Sequence, residues 1–408
     1  MNAVRMTTSS VLRPGSPELR SVLERVGEGA SERESLKEAP FAAMALLRDA
    51  GFGALRVPEA DGGAGSTFRE FFETLIALAA VDPNVAHAWR SHFWFVEETL
   101  LLPDAARRAR LVGQVVAGTM FGGAAGELAT HVGEQRFDTT ISSDGDGDYR
   151  IDGTKHYTTG ALYADYIGVI ASLTDGRPAV AVVPTNREGV TVEDDWDGFG
   201  QQLTASGTTR LDRVRVAGDE LWIYPTPEGD EPPPRSILPP FLHLYLTAVI
   251  AGTLRIVVSD AAALILRRAR TFTHAPSEVP ATDPLLQQVV GELASNAFAA
   301  EATVLAAADA LDAAELAIKG KASPGRDLAH AAALRTSQAK VVVDGLGLRS
   351  ATALLDVGGA SATRTVFNLD RHWRNIRTLA SHNPTIYKSM AIGDYIVNGV
   401  PLPLNGYF

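Results

Sequence analysis

The sequence predicts an α+β protein with three parts in order: an N-terminal helical domain, a small β domain and a C-terminal helical bundle. Apolar residues recur at helical spacing up to about residue 118, short β-rich runs follow, and long alanine-rich apolar segments occupy the remainder. We therefore expect domains at 1–118, 119–222 and 241–408, separated after the second by a proline-rich linker at 223–240.

Helical periodicity is clear in the N-terminal part. Phe71, Leu75 and Leu78 recur at three- and four-residue intervals. Pro83 is typical of a first helical turn, and Asp82 before it predicts an N-cap. The glycine-rich stretch 58–66 is expected to connect two helices.

The middle part contains short runs such as YRIDG, YIGVIASL and AVAVVP, which turn signals separate. This spacing predicts a compact barrel or sandwich. The acidic run DGDGD at 144–148 resembles a calcium loop, but Tyr149 and Lys155 occupy positions that need glycine and glutamate. We interpret it as a hairpin turn and predict no metal site.

The C-terminal part should be helical over Phe241–Phe272, Asp283–Lys319 and Arg326–Leu348. These segments are apolar on more than one face, as in a bundle core or a subunit interface. The glycines of GLGLRS (345–350) follow a helix-like stretch and lack the final glycine of a dinucleotide fingerprint. We therefore expect no NAD(P)H site.

Composition limits the classes of function. The 408-residue chain has a net charge of −11 and a pI near 5.3, which argues against nucleic acid as a partner. It has no cysteine, so disulfides and thiolate chemistry are excluded. With no signal-like N-terminus and no apolar run of about 18 residues, we expect a soluble, cytoplasmic protein.

The segment between Arg371 and Gly393 is rich in cations, contains two histidines and lacks any carboxylate. The last glutamate of the chain is Glu315. His382 precedes Asn383 and Pro384, and the proline disfavours helix at the residue before it. A histidine in such a loop could bond the backbone or move a proton near neutral pH.

Four motifs resemble motifs of the acyl-CoA dehydrogenase superfamily. They occur in the same order as in that family and extend over nearly the whole chain. The last of them is similar to the flavin-dependent monooxygenases of this fold, the dibenzothiophene monooxygenase type in particular. The resemblance implies a central β-barrel and a C-terminal four-helix bundle. The motifs are DGTKHYTTGALYADY (152–166), GFGQQLTASGTTRLDRVRV (198–216), LLDVGGASATR (354–364) and DRHWRNIRTLASHNPTIYK (370–388).

The chain departs from the dehydrogenases at the catalytic base. Their glutamate falls near Thr378 in the late loop, or near Tyr245 on the first bundle helix in some members, and neither position is acidic here. Removing a proton α to a thioester needs a positioned base. Acyl-CoA dehydrogenation is therefore disfavoured.

For the monooxygenases, the resemblance implies catalytic roles for His382, for Thr158 and for His92, with an ordinary core histidine as the alternative at His92. It implies cofactor contacts from Tyr157 and Thr159, and from a phosphate-binding arginine near position 269. Ser206 and Ser361 are further polar candidates or plain turn residues. The remaining cofactor candidates are Arg268, Arg270, Gly358, Gly359, Arg374 and Arg377, the last two being equally compatible with a solvated basic face.

The function implied is a two-component monooxygenase. Reduced FMN, or FAD, would come from a separate NAD(P)H:flavin reductase and react with O2 to give a C4a-hydroperoxyflavin. That species would oxygenate sulfur, nitrogen or aromatic carbon of a small substrate. The resemblance also implies a homotetramer. The alternatives are an acyl-CoA dehydrogenase or oxidase with a relocated base, and a non-catalytic flavin-binding protein.

Overall fold

The structure, a computed structural model, describes residues 12–128, 136–223, 234–320, 325–403 and 408. Its N-terminal part is helical, as predicted. Asp82 caps its helix by accepting hydrogen bonds from the backbone N–H groups of Asn84 and Val85. The helices are α1 (Pro17–Gly27), α2 (Ala30–Leu36), α3 (Phe41–Asp49), α4 (Phe68–Ala79), α5 (Pro83–Ala88), α6 (Arg90–Leu100) and α7 (Ala105–Val116).

The middle part forms one mixed eight-stranded sheet in the order β6-β7-β3-β2-β4-β5-β8, with β1 pairing parallel to β4. The predicted hairpin turn is confirmed: Asp146 and Gly147, between β2 and β3, both have positive φ. The strands are β1 (Phe121–Ala124), β2 (Thr140–Gly145), β3 (Asp148–Lys155), β4 (Tyr166–Leu173), β5 (Pro178–Pro184), β6 (Val190–Val192), β7 (Thr209–Val216) and β8 (Leu221–Ile223).

The C-terminal part is a helical domain in which three long helices pack on one another and on α4. The predicted helix starting at Phe241 begins earlier and ends at Arg267, and the third long helix runs ten residues beyond Leu348. Residues 224–233 of the predicted linker lie outside the described residues. The helices are α8 (Leu238–Arg267), α9 (Pro284–Lys319), α10 (Gly325–Gly358), α11 (Asp370–Ser381) and α12 (Thr385–Asn398).

Helix α8 corrects the expectation about apolar runs. By length and composition alone it could cross a membrane, because Phe241–Leu254 contains no charged residue. Half of its most apolar window is buried within the fold, where it contacts α4, α9 and α10. It is packed as the core helix of the bundle.

The cation-rich segment is mostly helical, so the expected late loop is shorter than its motif. α11 ends at Ser381, His382 occupies its C-cap, and α12 starts at Thr385 after Pro384. Lys340 of α10 holds this corner by donating from Nζ to the carbonyl oxygen of Ala380 across 3.2 Å. The loop that carries His382 is therefore short and anchored.

Candidate active site

The candidate site is the region where the α5–α6 junction, α8, α11 and the 198–208 segment of the sheet domain meet, which we call the recess. His87 and Arg90 come from the junction, where Trp89 keeps a right-handed helical conformation with φ −79° and ψ −7°. Residues three apart along a helix lie on the same side, so the His87 and Arg90 side chains lie on one face. His382 comes from the end of α11.

His87 is buried, and its Nδ1 lies 3.0 Å from the side-chain oxygen of Gln201. An amide oxygen only accepts, so Nδ1 carries the proton and Nε2 keeps its lone pair. Burial, followed by the charge of Arg90, lowers the pKa of His87 to about 3. The ring is therefore neutral at physiological pH.

His382 is exposed to solvent at the C-terminal end of α11, with Arg90 and Lys340 among its charged neighbours. Surrounding protein, and then the charges of Arg90 and Lys340, lower the pKa of His382 to about 3. Its Nδ1 lies 2.6 Å from the Asn383 side-chain oxygen, which fixes the proton on Nδ1. The recess thus has two neutral imidazoles.

Three hydroxyl groups form a relay that starts at the backbone of Gln201. Thr204 Oγ1 donates to the Gln201 carbonyl oxygen at 2.8 Å, Ser206 Oγ lies 2.7 Å from Thr204, and Thr159 Oγ1 lies 2.8 Å from Ser206. Each hydroxyl has one proton. All three contacts are satisfied only if Thr159 donates to Ser206 and Ser206 donates to Thr204. The hydroxyl of Thr159 can then only accept a further hydrogen bond.

Thr158 has a different environment from Thr159. Its hydroxyl is fully buried, donates to the carbonyl oxygen of Gly207 and accepts from Thr209, both at 3.0 Å. This closed arrangement favours an ordinary role in the sheet. Tyr157 is 60% exposed, with a positive φ of 58° that turns the chain after β3, and its ring lies edge-on to Trp196.

Gln201 joins the histidine side of the recess to the hydroxyl relay. It adopts a left-handed backbone conformation, φ 55°, which is uncommon for a residue with a side chain. Its N–H donates to the Asn375 side-chain oxygen at 2.6 Å, and the Asn375 amide donates to Glu34 at 2.9 Å. Burial raises the pKa of Glu34 to about 7.

His92 takes part in the core and does not reach the recess through a free nitrogen. It is fully buried, with Nδ1 accepting from the Phe121 N–H at 3.2 Å and Nε2 donating to the Gly53 carbonyl oxygen at 3.0 Å. Burial lowers its pKa to about 4. Both ring nitrogens are occupied, which favours the core alternative over the catalytic one.

The two predicted cofactor arginines of α11, Arg374 and Arg377, have different environments. Arg374 is fully engaged within the protein, donating to Asp370, Asn368 and the Phe199 carbonyl oxygen at 2.8–3.0 Å. This geometry favours a structural role, in which Arg374 ties α11 to the loop before Gln201. Arg377 is exposed.

The other predicted cofactor contacts lie elsewhere. Arg268 and Gly359 line a separate cavity of about 260 Å³ near the end of α10, while Arg270 is exposed. Gly358 packs on Ala362, since a Cβ there would approach the Ala362 Cβ to 2.4 Å. Lys340, beside the His382 corner, lies about 27 Å along α10 from Gly358. One flavin within one subunit does not span both places. Ser361 is also exposed at this end.

A recess of about 770 Å³ lies at a third place, between α3, α7 and the start of β4. The Arg48–Asp165 ion pair at 2.7 Å lies on its wall. It contains neither histidine nor hydroxyl relay, so its size alone does not make it the reaction site.

No described carboxylate occupies the positions of the dehydrogenase bases. Tyr245 is fully buried and donates its hydroxyl proton to the Ala86 carbonyl oxygen at 2.8 Å. Thr378 packs near Gly200. Asp344, behind the His382 corner, is ion-paired with Lys340 at 2.9 Å and accepts from the Thr385 hydroxyl. The recess suits neutral hydrogen bonding better than carbanion formation.

Known proteins resemble this chain in both sequence and fold. Models of the acyl-CoA dehydrogenase middle domain and C-terminal domain match residues 129–214 and 244–385, together more than half of the chain. A probable FMNH2-dependent monooxygenase, SfnC of Pseudomonas putida, is 28% identical over 95% of both chains. The dibenzothiophene monooxygenase of Mycolicibacterium goodii is 29% identical, covering 94% of this chain and 92% of the relative.

A solved structure extends the likeness to the whole fold. FMN-bound TdsC from Paenibacillus sp. A11-2 superposes with a TM-score of 0.86 and 26% identity, over 96% of this chain and 99% of that one. The predicted order of helical region, sheet domain and helical domain is therefore confirmed.

Proposed function

Because the chain belongs to the acyl-CoA dehydrogenase family, among its flavin-dependent monooxygenases, we propose that it oxygenates a small organic substrate with reduced FMN and O2 through a C4a-hydroperoxyflavin. One oxygen atom enters the substrate, the other leaves as water, and reduced FMN supplies both electrons. A separate NAD(P)H:flavin reductase provides the reduced FMN. The supporting observation is that two neutral histidines, His87 and His382, lie in the same region as a directed hydroxyl relay.

The residues of the recess fit a reduced flavin. Thr159, held by Ser206 as an acceptor, complements the N–H at N5 that only the reduced ring carries. His87 and His382 each offer a lone pair on Nε2, because Nδ1 is protonated and bonded to an amide oxygen. They can hold the proton of a peroxide without introducing a charge beside it. The flavin supplies the oxygen chemistry, and the protein supplies binding and orientation.

The proposal also includes predicted cofactor contacts outside the relay and the histidines, and each has its own supporting observation. Tyr157 is an exposed aromatic beside the relay, placed to cover a flavin ring. Arg268, Gly359 and Arg270 lie at the distant end of α10, so we assign them to the flavin of an adjacent subunit in a cytoplasmic homotetramer. Exposed apolar residues of α12 support subunit contact: Ile386, Tyr387, Met390, Ile396 and Val397.

A single-turnover experiment tests the proposal. The protein is loaded anaerobically with reduced FMN and mixed with ¹⁸O2 and a panel of sulfides, amines, phenols and organic acids. The expected result is a product that gains one ¹⁸O atom. An acyl-CoA ester series is run beside it. Enoyl-CoA formation without ¹⁸O incorporation would overturn the proposal and favour a dehydrogenase with a relocated base.

A further inference from the structure

Arg90 has few partners within the described part of the molecule and lies beside the two histidines of the recess. It is half-buried at the start of α6, and its Nε donates to the Leu242 carbonyl oxygen at 3.2 Å. Its two Nη groups make no hydrogen bond, and it forms no ion pair, with any residue that the structure describes. A guanidinium has five N–H donors, so most of this group's capacity is unused.

The two arginines that are buried in the described part of the molecule, Arg56 and Arg371, are matched by acids. Arg56 pairs with Glu97 at 2.7 Å and with Glu315 at 2.9 Å, and Arg371 pairs with Asp260 at 2.8 Å. Taking a cation out of water is costly unless an opposite charge compensates it. Arg90 is half-buried and has no acidic partner among the described residues, so its charge and its Nη donors are available to a ligand.

The neighbours of Arg90 do not neutralise it. Burial, followed by the charge of Arg90, keeps the pKa of His87 and of His382 at about 3, so both are neutral. Burial raises the pKa of Tyr245 well above its ordinary value, so the phenol is neutral as well. Even with burial, the pKa of Arg90 stays at about 10, so the guanidinium is charged at pH 7. One positive charge therefore remains in the recess.

We propose that Arg90 binds the anionic group of the substrate, which is a small organic carboxylate or sulfinate. The planar fork of unused N–H donors matches two oxygen atoms of such a group. The inference rests on the proposed function and adds the substrate class. The reduced flavin is itself anionic, but the group complementary to its N5 edge, Thr159, belongs to the sheet domain. Arg90 lies on the helical side, bonded to α8.

Binding without turnover tests this assignment. The FMN-loaded protein is titrated with benzoate and benzenesulfinate, and with the neutral partners benzamide and methyl phenyl sulfoxide. The change in the flavin absorption spectrum gives each Kd. We expect each anion to bind at least tenfold more tightly than its neutral partner. In Arg90→Met we expect the Kd of each anion to rise about 100-fold and the Kd of each neutral compound to change little.

Two further variants keep the test interpretable. Arg90→Lys retains the charge without the fork and should recover part of the preference. Arg335→Met removes an exposed arginine of α10 that hydrogen-bonds only Gln338, and should leave every Kd unchanged. Because Arg90 forms no ion pair with a described residue, its replacement by methionine should change the melting temperature little.

The outcomes separate this inference from the proposed function. Equal binding of anions and neutral partners by the wild type would overturn the substrate class, whether or not oxygen transfer occurs. A loss of reduced-FMN affinity in Arg90→Met with the anion preference intact would assign Arg90 to the flavin and also overturn it. Failure of the protein to bind FMN in any redox state would instead reject the proposed function.

Discussion

His87 and Gln201 are joined by a 3.0 Å hydrogen bond that makes the imidazole a neutral acceptor facing the recess. The same glutamine starts the hydroxyl relay through its carbonyl oxygen, to which Thr204 donates at 2.8 Å. One residue with a left-handed backbone thus orients both polar walls of the candidate site. Gln201 acts through its neighbours and is a positioning residue.

Replacing this glutamine by glutamate should give the enzyme a new pH dependence. The carboxylate of Gln201→Glu would favour the imidazolium and raise the pKa of His87 from about 3 toward neutrality. We expect kcat/KM of the variant to fall as pH decreases from 8 to 5, while the wild type shows no imidazole titration in this range. Gln201→Leu is the control, because it lowers activity without adding a charge. A flat profile for the glutamate variant would contradict the assignment.

His87 and His92 should respond differently to truncation. His87→Ala removes a recess group, and we expect kcat/KM to fall about 100-fold, with a smaller loss of stability than in His92→Ala because one hydrogen-bond partner is left unpaired instead of two. His92→Ala leaves the Phe121 N–H and the Gly53 carbonyl oxygen unpaired in the core, which costs about 2 kcal/mol of unfolding free energy or more. Activity per folded molecule and thermal unfolding, measured on both variants, check this. The opposite pattern of effects would assign the catalytic role to His92 and the core role to His87.

The hydroxyl relay predicts redox-selective flavin binding. In the wild type, Thr159 can only accept, so it favours reduced FMN over oxidised FMN. Ser206→Ala frees the Thr159 proton to donate, and we expect the affinity for oxidised FMN to rise about fivefold. Thr159→Val should lower the affinity for reduced FMN by a similar factor. Anaerobic titrations give both constants. If the valine variant loses affinity and the alanine variant changes nothing, the relay direction is wrong and the flavin placement stands.

Glu34 should make folding stability depend on pH. Its folded pKa of about 7 lies above its unfolded value near 4.5, so its neutral form stabilises the fold below pH 4.5. That contribution is lost progressively as pH rises to about 7. Glu34→Gln, neutral at every pH, should therefore exceed the wild type in unfolding free energy at pH 8 by about 3 kcal/mol, and this difference should largely disappear near pH 5. Denaturant unfolding at the two pH values measures the difference. Equal pH slopes for both proteins would contradict it.

Much of the fold was predictable because it depends on local pattern. Helical periodicity, the Asp82–Pro83 start and the Asp146–Gly147 turn are all decided by neighbouring residues. Long-range packing was less accessible. No local pattern indicates that α10 continues past Leu348, or that Phe241 lies within a helix that starts earlier.

The site shows the same division. His382 and Thr159 were found through motif resemblance, and both lie at the recess. His87 was missed in favour of His92, five residues later, because only the fold shows which histidine has both nitrogens occupied in the core. The three-residue spacing of His87 and Arg90 was the available signal. Gln201 could not have been found, since its role depends on partners 114 and 174 residues away.

The most direct test of the oxygenase assignment is a rapid-mixing measurement. The protein is loaded anaerobically with reduced FMN, mixed with oxygenated buffer, and followed by absorption spectroscopy without substrate. We predict a transient C4a-(hydro)peroxyflavin spectrum that persists longer than the reaction of free reduced FMN with oxygen takes. The lifetime of this species should be shorter in His382→Ala. Direct return to oxidised FMN, at the rate of the free flavin, would contradict the monooxygenase assignment.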